Sequence, residues 1–111
     1  VSIVYHRPDG LGELTVSIIN CWVGQTRFRT NVGSFSRLDF SDRDYLIPVD
    51  ELTLDGDLVQ PQENDWIEQI INGKPSQQFK LIAPEGEPVW RYSDPQETLY
   101  RCHCKKMNLD I

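Results

Sequence analysis

The chain has 111 residues, of which 25% are charged and 39% hydrophobic, and it carries a net charge of −6. This length suits one folded domain, and the acidic balance argues against a duplex-DNA binder, which needs clustered Lys and Arg. No stretch approaches the ~20 apolar residues of a membrane span, and residues 1–7 lack the pattern of a signal peptide. The sequence therefore predicts no membrane partner and synthesis in a cytoplasm.

Strands dominate the predicted structure, because no long window carries a clean helical repeat of apolar side chains. Residues 14–18 alternate apolar and polar after the turn residues at 8–12. Residues 22–30 form the next β-prone run and residues 31–34 read as a loop. Residues 35–40 depart from strict alternation, which predicts a bulge or a twist.

The second half of the chain is rich in turn residues. Pro48 ends a strand and precedes a single predicted helical turn at 49–52, and Asp55-Gly56 marks a tight turn. Asn72-Gly73 joins a hairpin whose turn is lengthened by residues 74–76. The predicted strands here are short and bounded by turn residues: 43–47, 66–71, 78–82, 89–92 and 98–104.

Short strands at regular spacing predict an all-β fold. We expect a small β-barrel or sandwich with long loops and at most one short helical turn. No linker or internal repeat divides the chain, so residues 1–111 are expected to form a single β domain.

Cys102-His103-Cys104 is the most chemically suggestive motif, because thiolates and imidazole are zinc ligands. On a strand, however, the two cysteines face one side and the histidine faces the other. The alternation predicts a core-facing stripe of Tyr100, Cys102 and Cys104 with His103 exposed. We expect no metal and no cofactor, and with Cys21 the three cysteines are expected to be free thiols.

Other catalytic and ion-binding patterns are weak. A cysteine nucleophile needs a neighbouring base, and His103 points away from both nearby thiols. The acidic run Asp39, Asp42 and Asp44 lacks the spacing of a calcium loop, and it predicts a solvated, salt-bridged surface. The sequence has no glycine-rich phosphate loop and no serine elbow motif, so no enzymatic activity is expected.

Candidate interaction residues are aromatic, basic or located in loops. Trp22 and Trp90 are anchors of the kind that interfaces favour, with core packing as the alternative for each, and at least one tryptophan of the chain is expected to lie partly exposed. Arg27 and Arg29 share a strand face. This arrangement predicts contact with nucleic acid or with an acidic partner, and the alternative is an ordinary exposed strand edge. Functional residues often lie in loops, and the set is completed by Arg91 and four loop residues: Asn31, Gly33, Glu85 and Gly86.

Several motifs between residues 43 and 105 carry a family resemblance: YLIPVDEL at 45–52, PQENDWI at 61–67, NGK at 72–74 with FKL at 79–81, and WRYSDP at 90–95 ahead of YRCHC at 100–104. This region resembles the head-tail joining, or head-completion, proteins of bacteriophage and prophage necks. In that group a final β-strand closes a barrel. Asn64 stands where the group usually has glycine before the aspartate, and asparagine also tolerates a left-handed backbone.

The resemblance implies a virion structural protein of the phage neck, synthesised in the host cytoplasm. Its partners would be further copies of itself in a ring, the portal or adaptor, and tail proteins, with the protein acting as adaptor or stopper. Packaged DNA would pass through the ring without sequence-specific binding. The alternative left open by the residues is a small β-barrel module that binds a protein or peptide through exposed aromatic side chains.

Overall fold

A computed structural model describes residues 1–24, 27–32, 35–40, 43–83 and 87–107. Within these ranges the fold is all-β, and the 3-10 turn η1 (Val49–Glu51) is the one helical element. The prediction of an all-β fold with at most one helical turn is therefore confirmed. The strands are β1 Ser2–Asp9, β2 Gly12–Ile18, β3 Trp22–Gly24, β4 Arg27–Val32, β5 Phe35–Phe40, β6 Arg43–Pro48, β7 Thr53–Leu54, β8 Asp57–Leu58, β9 Trp66–Ile71, β10 Lys74–Leu81, β11 Trp90–Tyr92 and β12 Leu99–Lys106.

Eight strands form one antiparallel sheet in the order β2-β1-β9-β10-β12-β6-β3, and β11 also pairs with β12. This sheet is open and sandwich-like, so the sandwich alternative is confirmed and the closed barrel is wrong. The edge strands β2 and β3 follow each other in the chain and do not pair with each other. The last strand, β12, lies inside the sheet between β10 and β6 and therefore does not close a barrel, contrary to what the family resemblance had implied.

The hairpin between β9 and β10 is tighter than predicted. Asn72 and Gly73 both adopt positive φ angles, 53° and 75°, which is the pattern of a two-residue type I′ turn. Lys74 already pairs with Ile71, so the predicted lengthening of the turn is wrong. The extra residue is accommodated within β10, where the register shifts between Pro75 and Gln77. A bulge there suits proline, which has no N–H to donate to the sheet.

The first half of the chain departs from the prediction in three places. β1 was not predicted, although it pairs with both β2 and β9. Its Pro8 lies near the end of the hairpin, where a missing N–H is tolerated. The predicted run 22–30 is divided into β3 and β4, and the predicted loop at 31–34 begins inside β4. Finally, β5 pairs with β4 in continuous register, so the bulge expected at 35–40 is absent from the described pairs.

The hydrophobic core lies against one face of the large sheet. Alternate residues of β1, β6, β9, β10 and β12 point into it, as the two-residue repeat of a strand requires. Each fully buried aliphatic side chain stabilises the fold by about 1.5–3 kcal/mol. The largest buried core residues include Ile3, Tyr5, Ile18, Tyr45, Ile47, Leu52, Ile67 and Leu81.

A buried carboxylate ties the start of β9 to β1. Asp65 accepts hydrogen bonds from the Tyr5 hydroxyl at 2.5 Å, the Arg7 guanidinium at 2.9 Å and the Gln62 backbone N–H at 3.0 Å. Burial raises the pKa of Tyr5, which keeps the phenol protonated as the donor. The preceding Asn64 has a φ of 77°, so the predicted left-handed turn at this position is confirmed.

Candidate interaction surfaces

Four side chains form a cross-strand row on the outer face of the sheet. Trp22 lies opposite Leu46, Leu46 opposite Arg101, and Arg101 opposite Arg91. Directly opposite residues project to the same face, so two predicted interaction residues, Trp22 and Arg91, share this row. Trp22 is 56% exposed, which confirms that at least one tryptophan lies partly outside the core.

Gly24 at the end of β3 leaves room for the central cation of this row. A Cβ atom built on Gly24 would lie 3.3 Å from Nη1 of Arg101. The guanidinium therefore packs close above the backbone of β3, and a larger residue at this position would displace it. The same guanidinium nitrogen donates to Oδ2 of Asp44 at 2.8 Å.

Two residues on the outer face are buried, in contrast to the prediction. Asp44 lies opposite His103, and its Oδ1 is 3.2 Å from the histidine Nδ1. Asp44 is 0% exposed and His103 is 1% exposed. The predictions of an exposed His103 and of a solvated Asp44 are therefore wrong. Alternation assigned His103 correctly to the face opposite the core, but on this face His103 and Asp44 are buried against each other, and Asp44 also accepts from Arg101.

The cysteines lie on the core side, away from this cluster. Cys102 and Cys104 are fully buried, Cys21 is nearly so, and all three are free thiols. The predicted stripe of Tyr100, Cys102 and Cys104 is confirmed. Burial raises the pKa of Cys102 and Cys104 well above the usual range and that of Cys21 to about 12, so these thiols stay protonated. Among the described residues, no group of three or more His, Cys, Asp or Glu side chains is arranged to hold a metal ion.

Trp90 belongs to a different environment from Trp22. Its ring packs edge-on against Tyr92, with the centroids 5.0 Å apart, and against Tyr100 at 4.8 Å. Trp90 lies opposite Cys102 and is packed against the core. The structure therefore does not bring the two predicted aromatic anchors together.

The remaining predicted interaction residues are only partly described. Arg27, Arg29 and Asn31 lie in β4, for which the structure describes the backbone but not the side chains. Gly33, Glu85 and Gly86 lie outside the described residues. β4 and β5 pair as a separate two-stranded sheet between Gly24 and Arg43, at the ends of β3 and β6. We call this β4–β5 hairpin the arm.

An apolar edge near Trp22 was not predicted in full. Ile19 is 70% exposed, Trp22 and Val23 follow it in the chain, and both are exposed. Val1 exchanges two backbone hydrogen bonds with Cys21, at 2.6 and 3.2 Å, in the middle of this segment. The sequence signal for this exposed edge was Ile18-Ile19. Successive residues of a strand point to opposite faces, so only one of two consecutive apolar residues can face the core.

The family model described as phage head-tail joining protein matches residues 1–110. The chain belongs to this family. No protein of curated function and no solved structure matches the chain.

Membership of the head-tail joining family fixes the coarse function. The protein is a structural component of the phage virion and not an enzyme, as the sequence predicted. Joining head to tail requires contacts with head and tail proteins, which confirms the general class of partner. No helix in the described ranges is long and apolar enough to cross a membrane. The outer-face row with its exposed ends Trp22 and Arg91, the apolar edge and the arm are the candidate protein contact surfaces.

Proposed function

We propose that this chain acts as a single β domain in the phage neck, where several copies form a ring between the head portal and the tail. The ring would serve as an adaptor or a stopper. The observation that carries this proposal is the family match over residues 1–110. A sheet with a buried core on one face and exposed apolar and charged side chains elsewhere suits a protein that acts through contacts with its neighbours.

The outer-face row and the apolar edge are the proposed contact with the neighbouring head or tail protein. Interfaces concentrate their binding energy in a few residues, most often Trp, Tyr and Arg, at well-packed positions. Trp22 is the exposed aromatic residue that best fits this role. Ile19 is an exposed apolar residue three positions before it, and Val23 is exposed on the other face of the same edge strand. Arg91 supplies an exposed cation on the same row.

The arm is the proposed element that reaches towards the channel. Residues 27–40 contain three arginines, Arg27, Arg29 and Arg37, and one aspartate, Asp39, and so carry a charge of +2 in a chain of −6. In the described ranges, its strands pair with each other and with no strand of the large sheet. A cationic hairpin inserted between two strands of a rigid sheet suits contact with DNA phosphates or an acidic neighbour, without reading of sequence. Asn31 belongs to β4 of the arm, and the sequence-predicted interaction residues Gly33, Glu85 and Gly86 stay candidate contacts outside the described residues.

A phage carrying a deletion of the gene tests the proposal directly. We expect electron micrographs to show filled or emptied heads and separate tails, with normal particles restored by the wild-type protein. Loss of packaged DNA from the heads would favour a stopper, and retention of DNA would favour an adaptor. Normal joining in the absence of the protein would contradict the proposal.

The contact surface has its own test. Trp22→Ala should weaken binding of the purified protein to its head or tail partner by about thirtyfold, as loss of a hot-spot aromatic does. The matched control is Leu11→Ala, which removes another exposed apolar side chain, in the turn between β1 and β2 and outside this surface. Equal affinities for the wild-type protein and Trp22→Ala would exclude Trp22 from the contact.

A further inference from the structure

The outer face of the sheet contains two lysines in an unfavourable arrangement. Lys80 of β10 and Lys105 of β12 lie directly opposite each other and both are exposed. Like charges at directly opposed positions repel and destabilise a sheet. Neither lysine forms an ion pair or a side-chain hydrogen bond with another residue in the described part of the chain. We call these two residues the lysine pair.

The opposite charge is concentrated elsewhere in the same chain. Residues 44–73 contain eight acidic residues and no lysine or arginine. Asp55 and Asp57 are exposed on the hairpin formed by β7 and β8, which we call the acidic hairpin. The next residue, Leu58, is 66% exposed. An exposed leucine next to two carboxylates suits a protein partner better than a metal ion, because a protein can cover the apolar side chain.

The two charged surfaces belong to different parts of the subunit. The acidic hairpin packs against β2, at one edge of the sheet, and against η1, which follows β6. The lysine pair lies on β10 and β12, in the middle of the strand order. Two unlike, complementary surfaces on one subunit are what a head-to-tail contact requires, and such contacts generate rings when the rotation closes.

We propose that neighbouring copies of this chain associate head to tail, with the lysine pair of one copy against the acidic hairpin of the next. This inference rests on the proposed ring and names the surfaces that build it. Leu58 is the apolar contact at the acidic side. Trp66, which lies opposite Lys80 on the same outer face, is its counterpart on the basic side.

DNA fits the lysine pair less well than a second copy does. Binding to duplex DNA draws on several clustered cations, whereas this site offers two in a chain of net charge −6. A carboxylate also lies beside it, because the Trp66 indole N–H donates to Glu13 Oε2 at 2.7 Å. An acidic protein surface with an exposed leucine also supplies an apolar contact for Trp66, which a phosphate backbone does not.

Complementary charge reversal in the full chain tests this pairing. Lys80→Glu with Lys105→Glu makes variant A, and Asp55→Lys with Asp57→Lys makes variant B. In sedimentation velocity at about 50 mM salt, the wild-type protein should form assemblies larger than a monomer, and their association constant should fall at least tenfold at about 500 mM salt. Variants A and B should each be monomeric. Their equimolar mixture should regain assemblies of alternating A and B, because the intact acidic hairpin of A meets the intact lysine pair of B and the two reversed surfaces are complementary as well.

Each other outcome overturns the pairing. A wild-type protein that stays monomeric together with a mixture that does not associate would exclude it, as would assembly that is unchanged in variant A. If variant A assembles normally but loses affinity for a labelled duplex, the lysine pair is a DNA contact instead. Circular dichroism of both variants confirms that they are folded. If variant A still assembles, with or without loss of duplex binding, self-association survives. The proposed ring would then stand, but its contact surfaces would be different ones.

Discussion

The two faces of β12 show two ways of burying a strand. On the core face, Tyr100, Cys102 and Cys104 are buried among apolar side chains. On the outer face, His103 is just as buried but lies against the carboxylate of Asp44. Two residues further along, Lys105 is exposed. The comparison shows that alternation reports which face a residue occupies, whereas partners decide whether a polar residue on that face is buried.

Removal of the Asp44 carboxylate should cause the largest loss of stability. Asp44→Ala leaves the Arg101 cation and His103 without their shared acceptor, although the Arg101 side chain retains 23% exposure. We expect the free energy of unfolding to fall by about 3 kcal/mol, as when one partner of a buried ion pair is removed. Urea denaturation followed by fluorescence measures this loss. A loss below about 1 kcal/mol would mean that the outer-face cluster contributes little.

On the core face of β12, introducing a polar group should lower the free energy of unfolding, since the neighbouring side chains are apolar. Cys102→Ser introduces a hydroxyl at a fully buried position, and we expect a loss of about 2 kcal/mol. Cys102→Ala is the matched control, because it removes the sulfur without adding a polar group. Urea denaturation should rank the alanine variant as the more stable of the two. The reverse order would indicate that the core face of β12 accommodates a hydrogen-bonding group.

The same comparison explains how much could be predicted from sequence. The core stripe of β12 was predictable, because apolar residues at two-residue spacing need only the sheet to be buried. The Asp55-Gly56 and Asn72-Gly73 turns were predictable for a similarly local reason, since those residues tolerate positive φ. Burial of Asp44, His103 and Asp65 was not predictable, because each depends on a partner more than fifty residues away in the chain. The exposed surface around Trp22 was only half predicted, because the position of β3 at the sheet edge is set by long-range pairing.

High pH should destabilise the protein through the buried thiols. Burial raises the pKa of Cys21 from 9.0 to about 12, and it raises those of Cys102 and Cys104 in the same direction. The unfolded chain therefore releases these protons first, so their contribution to stability is complete below pH 9 and is lost as the pH rises towards 12. Each such group contributes a slope of up to about 1.4 kcal/mol per pH unit. Urea denaturation at a series of pH values should show a smaller slope for Cys102→Ala than for the wild-type protein.

The smallest expected effect concerns the exposed end of the outer face. Lys80→Gln removes one charge of the lysine pair, so the monomer should gain about 0.5 kcal/mol in free energy of unfolding from reduced cross-strand repulsion. Lys74→Gln, at an exposed lysine in the β9–β10 hairpin, is the control and should leave stability nearly unchanged. The gain should shrink at high salt, because screening weakens repulsion between exposed charges. Equal stability of Lys80→Gln and the wild-type protein at low salt would show that the repulsion is already relieved by solvent. A measured gain would mean that the folded protein retains an unfavourable charge pair, which suits a surface that another molecule neutralises.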